Sequence, residues 1–162
     1  MKTDFINLYK SKIGKINEKV INLKRGGCGV YALYLYQHLQ SLGISGVNIR
    51  PLLYKHMGYQ NNDDFNTLIA LNGKHKITFN HILVTIKDKN CYYTLDSIGV
   101  DKYDKPIKSG HIINESIYNR TAILGNVVTE RDLELSLDID LWNNAYDRTQ
   151  NKLLKKLIFK IK

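Results

Sequence analysis

The apolar positions near the start of the chain recur on roughly one side of a helix. Phe5, Leu8, Ile13, Ile16 and Val20 predict a first helix over 4–22, weakened in its middle by Gly14. A glycine-rich connection, Lys24 to Gly27, follows. Then Ala32, Leu35, Leu39 and Leu42 repeat at three- and four-residue steps, the buried stripe of a second helix from about Cys28 to Leu42. Gly43, just past the last member of the stripe, is its natural stop. VNIRPLLY, 47–54, reads as extended, with Pro51 placing it at a sheet edge or a bulge. GYQNNDDFN, 58–66, reads as loop, and FNTLIAL, 65–71, as a short helix or strand. The clearest β signal is a hairpin: His81 to Ile86, rich in β-branched residues, a charged turn over Lys87 to Asn90, and aromatic, β-prone Cys91 to Leu95. DKYDKPIKSG, 101–110, reads as loop, and Ser116 to Leu124 as helix or strand. Glu130 to Lys160 reads as two helices separated near Asn143 to Asp147, although the final LIFKIK also alternates as a strand would.

These elements predict one α+β domain over 1–162, with a central helix packed on an antiparallel sheet. Its core would be 22–99, and 130–162 a helical, basic extension. The chain's 162 residues suffice to bury a core without covalent staples. Cys28 and Cys91 are its two cysteines, too few for a disulfide framework and without a CxxC pair for zinc. That usage, with an N-terminus lacking a long apolar run, points to a reducing, cytoplasmic setting. No apolar run is long enough to cross a bilayer. The composition, rich in Lys, Tyr and Asn, would suit a bacterial, phage or plasmid-encoded protein.

The net charge of +9 is unevenly spread. Glu130 to Asp147 carries six acids and one arginine, and Arg148 to Lys162 carries six basic residues and no acid. The strongest positive patch is therefore the tail. Its apolar residues would pack in the core while its lysines stay wet, or it would meet an acidic partner or an anionic surface.

The chemistry centres on Cys28, where the glycine-rich turn becomes a helix. A thiol titrates near 8.5, and a helix N-terminus beside a cation lowers that to roughly 3.5–7.5. Gly26 and Gly27 leave room for a substrate and expose backbone N–H groups to a developing negative charge. The base expected beside such a thiol is a histidine held by a third polar group. His81 opens the first hairpin strand and Asp96 closes the second. With the turn centred near Asp88 and Lys89, the two fall opposite each other on one rung, where cross-strand Cβ atoms lie roughly 4.5–5.5 Å apart. A carboxylate there fixes the imidazole tautomer and stabilises its cation.

Through GGCGVYALYL and NHILVTIKDKNCYYTLDSIG the chain resembles the papain-like cysteine hydrolases, in the broad sense that includes transglutaminase-like domains. The resemblance spans about Asn22 to Gly99 and keeps the order Cys, His, Asp. It implies a nucleophilic Cys28 at the start of a central helix, with His81 and Asp96 on successive strands. It also implies an oxyanion amide six residues before the cysteine, where Asn22 stands in place of the usual glutamine. Asn80, beside the histidine, is a further amide for the oxyanion or the substrate. Gly29 occupies the position after the cysteine where papain-like proteases often carry tryptophan, which favours a divergent member over an ordinary endopeptidase. The implied reaction is attack of Cys28 on a peptide, amide or thioester carbonyl, with release by water or an acceptor amine, and no cofactor.

Each residue also has a plainer reading. Cysteine packs well in cores, histidine is often structural, and LDSIG is a plausible strand exit. His38, His56, His75 and His111 show no metal-binding spacing, and KRGGCGVY lacks the end of a phosphate loop. The rival function is a non-catalytic basic module of the same fold that binds an acidic protein or nucleic acid, marked by steep salt dependence. No RNA-binding motif accompanies the charge, so nucleic acid is the less favoured partner.

Overall fold

The computed structural model describes residues 2–20, 28–54, 81–115, 120–136 and 145–162. Helix α1 covers Lys2–Lys19 and α2 covers Cys28–Ser41. Strands β1 (Val47–Tyr54), β2 (His81–Asp88), β3 (Cys91–Leu95), β4 (Val100–Tyr103), β5 (Ile112–Glu115) and β6 (Arg120–Leu124) follow. Helices α3 (Glu130–Ser136) and α4 (Ala145–Phe159) complete the order. The architecture is α+β: the strands form one antiparallel sheet in the order β4-β3-β2-β1-β6-β5, curled as half a barrel, with helices packed on it.

The helices end where their chemistry says. Gly43, at φ +71°, closes α2 in the left-handed conformation. Its N–H donates to Gln40 O at 3.0 Å while Ile44 N–H donates to Leu39 O at 3.1 Å, and Ile44 and Leu39 are both buried in the main core. Thr129 caps α3, its Oγ1 accepting from Asp132 N–H at 3.0 Å. The stripe on α1 is Phe5, Ile6, Tyr9, Ile13 and Ile16, and Leu8, expected among them, is half-buried.

One sheet face, with Val47, Ile49, Ile82, Val84, Ile86, Tyr93 and Leu95, packs against the helices to form the main core. The other carries a smaller cluster of Leu52, Leu83, Ile113, Ala122 and Leu124, covered by Ile107 from the β4–β5 connection. Arg50 pins that connection: Nη1 donates to Ile107 O at 2.9 Å, Nη2 to Ser109 Oγ at 2.8 Å and Nε to Gly125 O at 3.2 Å.

Pro51 lies in a central strand, not at the edge its sequence suggested as one alternative. The other alternative, a bulge, holds. Pairing of β1 with the β6 side passes from Leu52↔Leu124 to the bridge Ile49↔Val128, which leaves one extra residue on the β6 side. Pro51 O accepts from Gly125 N–H at 2.8 Å, so the N–H that proline lacks would face the bulge and not the β2 ladder. Gly125 is required there, because a Cβ would lie 2.5 Å from Pro51 Cγ.

One further expectation is corrected and one is met. Residues 101–103, read as loop, belong to strand β4, whose Asp101 is buried. The tail is as expected: it is helical through Phe159, not a strand over LIFKIK, and buries Leu154, Ile158 and Ile161 while Lys152, Lys155, Lys156, Lys160 and Lys162 face solvent. The expectations for 58–71 and 116–119 lie outside the described residues. Among those described, no helix is long and apolar enough to cross a membrane.

Candidate active site

Cys28 is the first residue of α2, half-buried and packed against the edge of the main core. His81 is the first residue of β2, and Asp96 follows directly on the last residue of β3. His81 and Asp96 are buried, at 7% and 6% exposure. Their side chains meet: His81 Nε2 lies 2.8 Å from Asp96 Oδ2. The Cys28 side chain is close enough to the same imidazole to help raise its pKa.

The register behind this contact differs from the one expected. Asp88 pairs with Cys91 around a turn of Lys89 and Asn90, and Val84 pairs with Leu95. Continued, that ladder sets Asp96 level with Leu83, so His81 and Asp96 are diagonal neighbours and do not share a rung. The displacement is two residues. An even slip leaves each side chain on its own face, whereas a slip of one would have separated the pair. Diagonal positions remain within reach of a long side chain such as histidine.

Asp96 is held on every side. Its Oδ1 accepts from the N–H groups of Ile98 at 2.9 Å and Gly99 at 3.0 Å, and its own N–H donates to Gly99 O at 3.1 Å. This turn commits one oxygen to the backbone and presents the other to His81. A carboxylate accepts here, so Nε2 must donate, and the tautomer is fixed. Burial by itself pushes the His81 pKa down, but the hydrogen bonds and charges of Asp96 and Cys28 outweigh it and hold the value up at about 9.

Two tyrosines outside the expected site residues stand behind this turn. Tyr9 of α1 donates its hydroxyl proton to Asp96 O. Tyr31 of α2, 2.6 Å from the Tyr9 hydroxyl, must then donate to it, since a carbonyl only accepts. Burial raises the Tyr31 pKa far above the ordinary phenol value, so its proton stays in place. A signal was present: Tyr9 sits four residues from both Phe5 and Ile13, inside the apolar stripe, and a buried phenol needs a partner for its hydroxyl.

Asn22, Gly26, Gly27 and Asn80 lie outside the described residues. Cys91 is half-buried at the start of β3 and packs on the main core. His38 is buried between Phe5 and Phe159, with Nε2 bonded to Ile161 O, a structural placement. Among the described residues no cluster of His, Cys, Asp or Glu could hold a metal ion. Two surface grooves, of about 330 Å³ beside Phe5 and Ile44 and about 410 Å³ beside Tyr103 and Ile112, are lined by neither Cys28, His81 nor Asp96. Comparison of the chain with models of protein families, with curated proteins and with solved structures finds no match.

Proposed function

We propose that the protein is a divergent papain-like cysteine hydrolase or acyl transferase, acting on peptide, amide or thioester bonds through Cys28, His81 and Asp96. One observation carries this reading: a buried imidazole held at 2.8 Å by a backbone-anchored carboxylate and acted on by the Cys28 side chain at the start of α2. A merely packed cysteine needs neither partner. Both cysteines are free thiols, as the chemistry requires.

Cys28 gives its proton to His81, and Sγ attacks the substrate carbonyl carbon. The Cys28 backbone N–H, at the start of α2, and the Asn22 amide stabilise the oxyanion. The carbonyl reforms as the bond to the leaving nitrogen or sulfur breaks, and His81 returns the proton to the leaving group. Water or an acceptor amine then attacks the Cys28 thioester while His81 takes its proton. Asp96 keeps the imidazole oriented and balances its positive charge throughout.

The test is capture of the acyl-enzyme. Wild-type protein is incubated with a small acyl thioester, quenched in acid and peptide-mapped by mass spectrometry. Acylation is expected at Cys28 and not at Cys91, and His81→Ala abolishes it. Equal acylation of both cysteines, or none at Cys28, would overturn the assignment and leave the basic binding module as the better reading.

A further inference from the structure

We propose that helix α1 is a positioning strap for this site, holding the Asp96 turn through the Tyr9 hydroxyl and the Asn17 amide. This role rests on the Cys28–His81–Asp96 reading above. It extends that site to a helix that supplies none of its reacting groups.

Four side-chain hydrogen bonds join α1 to the β2–β3 hairpin. Lys2 Nζ donates to Lys87 O at 2.7 Å and Thr3 Oγ1 to Asp88 Oδ2 at 3.3 Å, at the turn end of the hairpin. Tyr9 donates to Asp96 O and Asn17 Nδ2 to Ser97 O, at the end that carries the carboxylate. The helix is therefore fixed against the hairpin at both ends. The burial of the two pairs is opposite. The turn-end bonds are exposed, whereas Tyr9 is fully buried and Asn17 partly so. A buried bond of this kind is costly to lose, because the stranded carbonyl finds no water.

The division of labour around the turn is complete. The N–H groups of Ile98 and Gly99 hold Asp96 Oδ1, and α1 holds the carbonyls of Asp96 and Ser97. Oδ2 is then directed at His81. Tyr31 closes the circuit: it lies three residues after Cys28 on α2 and donates to Tyr9 at 2.6 Å. The Tyr9 hydroxyl thus joins the helix of the nucleophile, the strap and the turn of the carboxylate. The titratable groups facing His81 and Asp96 among the described residues are Cys28 and Tyr31 from α2, with Tyr9 of α1 behind the turn. Loosening the turn lengthens the Asp96–His81 bond, which weakens the imidazolium and with it the activation of Cys28.

The experiment is the rate of Cys28 alkylation by iodoacetamide, read residue by residue from about pH 5 to about pH 9.5. It is run on wild type, His81→Ala, Tyr9→Phe, Asn17→Ala and Tyr31→Phe, with thermal melts alongside. Tyr9→Phe and Asn17→Ala are expected to slow labelling near pH 6 by about three- to tenfold, the size of one hydrogen bond, and to move the profile toward higher pH. Tyr31→Phe removes one donor to the Tyr9 hydroxyl but keeps the Tyr9–Asp96 bond, and is expected to slow labelling less than Tyr9→Phe does. A purely structural Tyr9 would lower the melting temperature and leave the pH profile unmoved. If Tyr9→Phe fails to fold, Asn17→Ala carries the same criterion. Unchanged profiles in both variants, with wild-type labelling dependent on His81, would overturn the strap while the site stands. Wild-type labelling indifferent to His81 would overturn the site itself.

Discussion

Asparagine at position 96 is nearly isosteric, yet the geometry makes it a severe change. In wild type, Oδ1 accepts from two backbone N–H groups at 2.9 and 3.0 Å and Oδ2 faces His81 Nε2 at 2.8 Å. In Asp96→Asn the amide oxygen must stay on the backbone pair, since an NH2 there would set donors against donors. The NH2 then points at Nε2. That nitrogen is forced to be the acceptor, and the proton of the neutral ring moves to Nδ1. The neutral ring can no longer accept the thiol proton, and the cation would oppose N–H to N–H. Burial, the largest influence on this ring, then acts without the carboxylate that outweighed it. The expected fall is from about 9 to at or below the ordinary value near 6.5, roughly 3 kcal/mol of lost imidazolium stabilisation. In reactivity that is a loss of about two orders of magnitude near neutral pH. Proton–nitrogen correlation spectra of the imidazole, titrated in wild type and variant, report both the pKa and the tautomer. A wild-type His81 that titrates near 6.5, or a variant that keeps both the raised pKa and the Nε2–H tautomer, would refute this reasoning.

Other consequences follow for stability. Because the folded pKa of His81 is raised, its contribution is complete below about pH 6.5 and is lost as pH rises through about 9. Denaturant melts should therefore weaken across that window in wild type and flatten in His81→Ala. His38 has the opposite sign: burial lowers its pKa, so its contribution is present above about pH 6.5 and is lost as pH falls. His38→Gln, which can still donate to Ile161 O, should reduce that acid-side slope, and an unchanged slope would show that His38 takes up its proton without cost. Gly125→Ala sets a Cβ 2.5 Å from Pro51 Cγ and 2.9 Å from Pro51 O, and should destabilise the fold by about 1–3 kcal/mol in urea titration. A loss below about 0.5 kcal/mol would mean that β1 and the bulge separate freely.

The parts of this fold legible in the sequence are those where apolar period and burial coincide. The α2 stripe, its Gly43 stop and the β2–β3 hairpin all follow from spacing. Strand β4 was hidden because its one fully buried residue is Asp101, so no apolar alternation marks it. The β1 position was ambiguous because Pro51 excludes a regular ladder on one side only, and the other side is where β2 pairs. At the candidate site, Cys28, His81 and Asp96 were legible as residue types at fitting positions. Their register was not, because the length of a turn is not written in strand propensity; the two-residue turn at Lys89 and Asn90 moved the pairing. The Tyr9 and Asn17 contacts were out of reach because they join residues 87 and 80 positions apart. Local patterns carry no information about such pairs.

The central claim is that His81 activates Cys28, and the chain carries its own control, since Cys28 and Cys91 are both half-buried free thiols. The most direct measurement is the ratio of their iodoacetamide labelling rates near pH 6, within one molecule, in wild type and His81→Ala. The account predicts a ratio of at least about tenfold in favour of Cys28 that collapses toward unity in the variant, because at that pH a free thiol is almost wholly protonated. Similar rates at the two cysteines, unmoved by the loss of His81, would contradict it.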